Sequence, residues 1–203
     1  MTSTPDVLSI ALDETSDPPL RPLPADVAGL LADLGAPPRL VAHLRAVHDV
    51  AARILEWVGQ HRPHLRVDGD AVRYGAATHD IGKVLHPGEL SGPGAHHEEA
   101  GRELLLAHGV APERARFAAT HASWQAPGVE TEDLLVSLAD KVWKNKRVAD
   151  LEDLVVAELS RAGGRPAWEE FLALDEFLTA VGEGADGRLA WQAAHPVGGA
   201  GPL

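Results

Sequence analysis

The chain has 203 residues, a formal net charge of −12 and no cysteine. Its length is typical of one compact domain with tails, and the lack of cysteine excludes disulfides, thiolate nucleophiles and zinc–cysteine sites. The acidic balance argues against general nucleic-acid binding and against an anionic membrane as partner, but it does not exclude a nucleotide in a locally positive pocket. No apolar run approaches the ~18 residues of a membrane span.

The two ends of the chain differ in composition from its middle. Residues 1–24 are rich in Pro, Asp, Ser and Thr, which predicts a flexible N-terminal arm, although residues 7–12 could instead dock on the body. Their start has neither a basic segment nor a long apolar core, so we expect no signal peptide and a cytoplasmic protein. Apolar periodicity then continues over residues 25–195, which we interpret as a single helical domain. The Gly- and Pro-containing residues 196–203 are expected to be a disordered tail.

Apolar residues recur at steps of three and four along most of the chain, and no alternating strand pattern lasts more than a few residues. This periodicity predicts an all-α fold. The predicted helices cover residues 25–34 and 40–60, then a stretch that begins near residues 68–70 and ends at His79. Further helices are predicted over residues 96–107, 112–121, 131–146, 148–159, 166–181 and 188–194.

One short motif, Thr-His-Asp-Ile-Gly-Lys at residues 78–83, places an imidazole beside a carboxylate. Neighbours on a helix point about 100° apart, so His79 and Asp80 can bind one metal only if the backbone turns there. Gly82 allows the chain to leave in a conformation that a side chain would resist. Lys83 would add a positive charge that an anionic substrate could use.

The first long helix offers one inward histidine. His48 lies on the same stripe as Leu44, Ala51 and Leu55, so its side chain is predicted to point into the core. It is either a core histidine with one hydrogen-bond partner or a metal ligand. His43 lies off the centre of this stripe and receives no role.

Three later helices offer further candidates. His97 shares a face with Gly101, four residues on, although position alone barely separates it from His96. His121 follows the apolar side of its helix. Asp140 lies within an apolar segment, where a carboxylate is either at the edge of the stripe or must be paired, hydrogen-bonded or bound to a metal.

Together these positions suggest one shared metal site. The candidate ligands are His48, His79, Asp80, His97, His121 and Asp140. Imidazole and carboxylate suit Mn, Fe, Zn, Co or Ni, and the ligand types do not choose among them. Close to Asp140 the chain has its densest basic cluster, Lys141, Lys144, Lys146 and Arg147. These cations either complement the helix dipole or form a rim that attracts phosphate, for which Lys144 is the best placed.

The order of these residues resembles the HD-domain metal-dependent phosphohydrolases. The matching positions are His48, His79-Asp80 within His-Asp-Ile-Gly-Lys, His97 within His-Glu-Glu-Ala-Gly, His121 and Asp140, over about residues 38–150. The resemblance implies a compact HD-type helical bundle with the metal site between helices. The family's His-x-x-x-Gly spacing selects His97 over His96.

The resemblance also implies a metal count. In members with one metal, the residues matching His48, His79, Asp80 and Asp140 hold it. Members that also match His97 and His121 often hold two metals, with the Asp80 carboxylate as the bridge, so this chain resembles the binuclear branch. Ala122 stands where the cyclic-di-nucleotide phosphodiesterases have a second histidine, and their Gly-Tyr-Pro segment is absent, which argues against that branch.

The expected function is therefore hydrolysis of a phosphate ester or phosphoanhydride, in a nucleotide or small phosphometabolite, by metal-activated water. Asp80 and Lys83 are the expected catalytic residues, and Glu98 and Lys144 are weaker candidates for substrate contact. Two alternatives remain open: a di-iron oxygenase of the same superfamily that oxidises a C–H bond, and a nucleotide sensor without catalysis. The last helices either complete the bundle or form a homodimer face.

Overall fold

The structure is a computed structural model that describes residues 8, 11–12 and 16–198. These residues form helices and connecting turns without a strand, which confirms the all-α fold class. The α-helices are α1 (Ala25–Asp33), α2 (Pro38–His61), α3 (Gly69–Thr78), α4 (His96–Ala107), α5 (Pro112–Ala115), α6 (Phe117–Thr120), α7 (Thr131–Val142), α8 (Ala149–Gly163), α9 (Ala167–Gly182) and α10 (Ala185–Ala193). Two 3₁₀ turns, Ile81–Val84 and Pro87–Leu90, lie between α3 and α4.

Helix α2 is the centre of the bundle. It packs against α3, α7 and α10, and most of its side chains are buried on every side. Residues such as Val47 and Ile54 face an apolar cluster with α7, α8 and α9, whereas Leu40 and Leu44 face a second cluster with α1 and α4. The polar centre described below lies among these central helices. No helix within the described ranges is long and apolar enough to cross a membrane.

Several helix ends have clear local causes. Asp68 accepts hydrogen bonds from the backbone N–H groups of Asp70 and Ala71, both at 3.0 Å, and so starts α3 as the sequence predicted. Glu130 and Asp133 form a reciprocal capping box that starts α7. Helix α7 ends four residues before its predicted end, because the chain turns through a left-handed conformation at Asn145, where φ is 55°.

The segment predicted as one helix over residues 112–121 is divided into α5 and α6. The division falls at Arg116, which keeps helical backbone angles (φ −56°, ψ −34°). The interruption is therefore slight, and His121 still follows directly after the last turn of α6.

The described part of the N-terminal segment is docked on the bundle, which corrects the expectation of a flexible arm for residues 16–24. Leu20 and Leu23 are buried, and the Arg45 guanidinium donates to the carbonyl oxygen of Leu20 at 3.0 Å. Arg21 forms an ion pair of 2.8 Å with the buried Asp49. The other residues of the predicted arm (1–7, 9–10 and 13–15) and residues 199–203 of the predicted tail lie outside the described residues.

Candidate metal centre

The backbone turn that the His-Asp motif requires is present. His79 closes α3 with helical angles (φ −52°, ψ −34°), whereas Asp80 leaves the helix (φ −104°, ψ 11°) before the first 3₁₀ turn. Their side chains therefore converge instead of pointing to different sides, and His79 Nε2 lies 3.6 Å from Asp80 Oδ2.

A first group of ligand atoms surrounds Asp80 Oδ2. His43 Nε2 lies 3.0 Å from this oxygen and 3.2 Å from His79 Nε2. Asp140, in the last turn of α7, brings its Oδ1 to 3.6 Å from His79 Nε2 and 3.9 Å from His43 Nε2. All four residues are buried. Helices α2, α3 and α7 thus deliver imidazole and carboxylate atoms to one point.

His43 holds the position that the sequence analysis assigned to His48, which is a correction. Both residues are buried in α2, but five residues on a helix rotate the side chain by about 140°, so the two rings cannot face the same point. The groups of ligand atoms found among the described residues include His43 and not His48. The apolar stripe misled the choice because α2 is buried on both sides, so burial alone did not identify the inner histidine.

A second group of ligand atoms surrounds the other oxygen of the same carboxylate. His97 Nε2 lies 2.9 Å from Asp80 Oδ1, and His121 Nε2 lies 3.5 Å from it. The two rings are neighbours, with centroids 5.7 Å apart. His96 is exposed and its ring lies beside that of His86 instead. The structure therefore brings together five of the predicted ligands and adds His43 to them.

Two glycines allow α4 to approach the motif closely enough for His97 to reach it. A Cβ on Gly82 would lie 2.0 Å from the carbonyl oxygen of His97 and 2.6 Å from the backbone nitrogen of Gly101. Gly82 is not among the glycines with positive φ. Its role is thus close backbone approach, and not the unusual backbone conformation expected from the sequence.

Hydrogen bonds at Nδ1 fix the direction of two of the imidazole rings, those of His79 and His121. His79 Nδ1 lies 2.9 Å from the carbonyl oxygen of Ala76, and His121 Nδ1 lies 3.0 Å from that of Ala118. A carbonyl oxygen only accepts, so Nδ1 must carry the proton in both rings. The Nε2 lone pair of each neutral ring then faces the carboxylates, as in metal-binding histidines whose other nitrogen is held by an outer partner.

This arrangement fits a cation. In their neutral forms, the Nε2 atoms of His79 and His121 are acceptors, and the carboxylates of Asp80 and Asp140 that face them are acceptors too. Nε2 of His97 is buried and makes no hydrogen bond within the described ranges. Acceptor atoms that face one another in a buried site are satisfied by a shared positive charge, and this set of nitrogen and oxygen donors suits a divalent transition metal.

The charge states support the same interpretation. Burial would raise the pKa of Asp80, but the surrounding imidazoles of His79, His43 and His97 hold it well below its usual value. The pKa of Asp140 is likewise lowered against the effect of burial, by His79 and Lys141. Burial lowers the pKa of His121 to about 4, so this ring is neutral at pH 7 and its lone pair is available.

Two lysines reach the carboxylates from the edge of the site. Lys83 Nζ lies 2.5 Å from Asp80 Oδ2, and Lys141 Nζ lies 2.5 Å from Asp140 Oδ2. Lys141 was not singled out from the sequence, where Lys144 was preferred. Lys144 is exposed, and its ammonium lies 5.7 Å from the centre of the Trp143 ring. Glu98 is partly buried, which raises the pKa of its carboxyl group.

Comparison with known protein families matches residues 40–144 to the HD domain. Comparisons with curated proteins and with solved structures found no match. The matched segment covers half of the chain and contains every ligand candidate that the structure brings together. On this match, and on the histidines and aspartates grouped between its helices, the chain belongs to the HD-domain family.

Proposed function

We propose that the protein is a metal-dependent phosphohydrolase with a binuclear centre bridged by Asp80. The observation that carries this proposal is the division of the Asp80 carboxylate, whose Oδ2 faces His43 and whose Oδ1 faces His97 and His121. Each oxygen belongs to its own group of potential ligands. The HD family consists mostly of metal-dependent hydrolases, which supports the general class.

The ligands would divide between two ions. His43, His79, Asp140 and Asp80 Oδ2 would hold the first, and His97, His121 and Asp80 Oδ1 would hold the second. Bound divalent ions would neutralise the negative charge of phosphate oxygens. They would also lower the pKa of a water bound to them toward about 7, so that hydroxide is available at neutral pH. A second set of only three ligands leaves room for water or substrate oxygen, as catalytic sites require.

The lysines support an anionic substrate. The side chains of Lys83 and Lys141 are 18% and 13% exposed, so each ammonium lies at the border between the buried carboxylates and solvent. Fixed positive charges at such a border stabilise charge that develops on a transferred phosphoryl group. Lys83 is the proposed catalytic cation, and Lys141 and Glu98 are proposed to contact the substrate.

The test is release of inorganic phosphate from a panel of nucleotides and phosphate monoesters by protein stripped of metal and then reconstituted with Mn²⁺ or Fe²⁺. The proposal expects release that needs the metal and is lost in Asp80→Ala. Consumption of oxygen by the iron-loaded protein, without phosphate release, would establish the oxygenase instead. Tight nucleotide binding without turnover by any reconstituted form would establish the sensor.

A further inference from the structure

Glu89, in the second 3₁₀ turn, has its side chain directed at the start of α4. Its Oε2 lies 2.5 Å from Nδ1 of His97 and 3.2 Å from the backbone nitrogen of the same residue. Its Oε1 lies 3.2 Å from the backbone nitrogen of His96. Three N–H groups therefore converge on one carboxylate, and both of its oxygens are used.

His97 differs from His79 and His121 in how its ring can be held. The rings of His79 and His121 each donate from Nδ1 to the carbonyl oxygen three residues earlier in their own chain segment. The residue three before His97 is Gly94, which precedes α4 and makes no such contact with the ring. A side chain from another element takes the place of the missing carbonyl.

The surroundings of Glu89 are arranged for this contact. A Cβ on Gly94 would lie 2.2 Å from Glu89 Oε1, so only glycine leaves room for the carboxylate there. The N-cap residue of α4, Ala95, has no side chain that could accept from the first N–H groups of the helix. The Glu89 side chain is 10% exposed and that of His97 is 6% exposed, so water competes little for the bond between them.

We propose that Glu89 is a positioning residue that fixes the tautomer and direction of His97 for the second metal. Because the carboxylate accepts from Nδ1–H, the Nε2 lone pair remains free and faces Asp80 Oδ1, 2.9 Å away. The same carboxylate replaces the missing cap of α4, so the ring and the helix that carries it are held together. This inference rests on the proposed function, since it assigns His97 to the second ion.

Glu89→Gln is the central test. In the parent, three N–H groups share two carboxylate oxygens. Glutamine offers them only one acceptor oxygen, so at least one bond is lost. We expect the affinity for the second Mn²⁺ to fall about 10- to 100-fold, the usual effect of removing an outer partner of a ligand histidine. The first Mn²⁺ should bind as in the parent. Stoichiometry by titration and the spin-coupled Mn²⁺ pair signal by electron paramagnetic resonance both report this without an activity assay.

Two further variants separate positioning from helix capping. Glu99→Gln removes an equal charge from the same end of α4, where the carboxylate pairs with Arg102 at 3.0 Å, and should leave both Mn²⁺ ions bound. In a His97→Ala background, which is expected to hold one Mn²⁺, Glu89→Gln should leave the binding of that ion unchanged, because the ring that Glu89 positions has gone.

The outcomes distinguish the inference from the function on which it rests. A parent that binds two Mn²⁺ ions, with Glu89→Gln binding both equally well, would overturn the inference alone, even if the variant had a lower melting temperature. Weaker binding of the remaining Mn²⁺ when Glu89→Gln is added to His97→Ala would also overturn it. A parent that binds fewer than two ions would overturn the binuclear centre and the role of Glu89 together.

Discussion

Asp80 Oδ1 lies 2.9 Å from His97 Nε2, and this contact links the His-Asp motif to α4, which begins at His96 after two short 3₁₀ turns. The other oxygen of the same carboxylate lies 3.0 Å from His43 on α2. One buried carboxylate thus joins two groups of imidazoles from different helices.

The assignment of His43, in preference to His48, is tested by matched substitutions on α2. His43→Gln removes a nitrogen that faces Asp80 and His79. We expect the affinity for the first metal to fall by at least about 100-fold, because loss of a ligand costs more than loss of a residue that only orients a ligand. His48→Gln should retain the parent's metal content. Elemental analysis of both proteins after the same purification checks this, and metal loss in His48→Gln alone would contradict the assignment.

His48 is instead predicted to make stability depend on pH. Burial lowers its pKa to about 4 from an ordinary value of 6.5. Between these values the unfolded chain takes up a proton that the folded chain refuses, so the free energy of unfolding falls as the pH falls through this window. The loss attributable to His48 amounts to about 3 kcal/mol by pH 4, from 1.36 kcal/mol per pKa unit.

Denaturant unfolding of the metal-free protein at pH 7 and at pH 4.5 measures this contribution. His48→Gln should lose less stability than the parent over that interval, whereas His64→Gln, at an exposed histidine, should behave as the parent does. Equal pH dependence in the parent and His48→Gln would contradict a neutral, buried His48.

The close approach of Gly82 to α4 predicts a cost for a single methyl group. In Gly82→Ala the Cβ would meet backbone atoms of His97 and Gly101, which cannot move without shifting α4. We expect a loss of about 1–3 kcal/mol in the free energy of unfolding, together with weaker binding of the second metal. Gly88→Ala, in the neighbouring turn where no atom lies within 4 Å, is the control and should match the parent in both measurements.

Lys83 is predicted to affect turnover more than metal content. Lys83→Met keeps most of the side-chain volume and removes the charge beside Asp80, so kcat for phosphate release should fall about 100-fold. Lys146→Met, at an exposed lysine, should leave kcat unchanged. Unaltered kcat in Lys83→Met, with the metals still bound, would remove Lys83 from the catalytic machinery.

The sequence predicted the fold class because apolar residues follow helical periodicity along nearly the whole chain. It also predicted that a helix starts near residues 68–70, where Asp68 caps α3. The split at Arg116 and the early end of α7 at Val142 were missed, since neither interrupts the apolar pattern. The docking of residues 16–24 was missed because it depends on Arg45 and Asp49, and helical periodicity does not show that these charged side chains meet another segment.

The site shows the same division between local and tertiary information. His79 and Asp80 were identified from adjacent residues, and the family's spacing separated His97 from His96. His43 could not be chosen by periodicity, because α2 has no solvent face along its first half and both histidines are buried. Glu89 had no signal at all, since its partner lies in a different element and its effect depends on where Gly94 leaves space.

The number of metals bound per chain tests the binuclear centre most directly. It should be measured on protein purified without chelator or histidine tag, for the parent, Asp80→Ala and His97→Ala. Because one carboxylate faces both groups, we predict about two metals in the parent, about one in His97→Ala and none in Asp80→Ala. Equal metal content in His97→Ala and the parent would contradict the account.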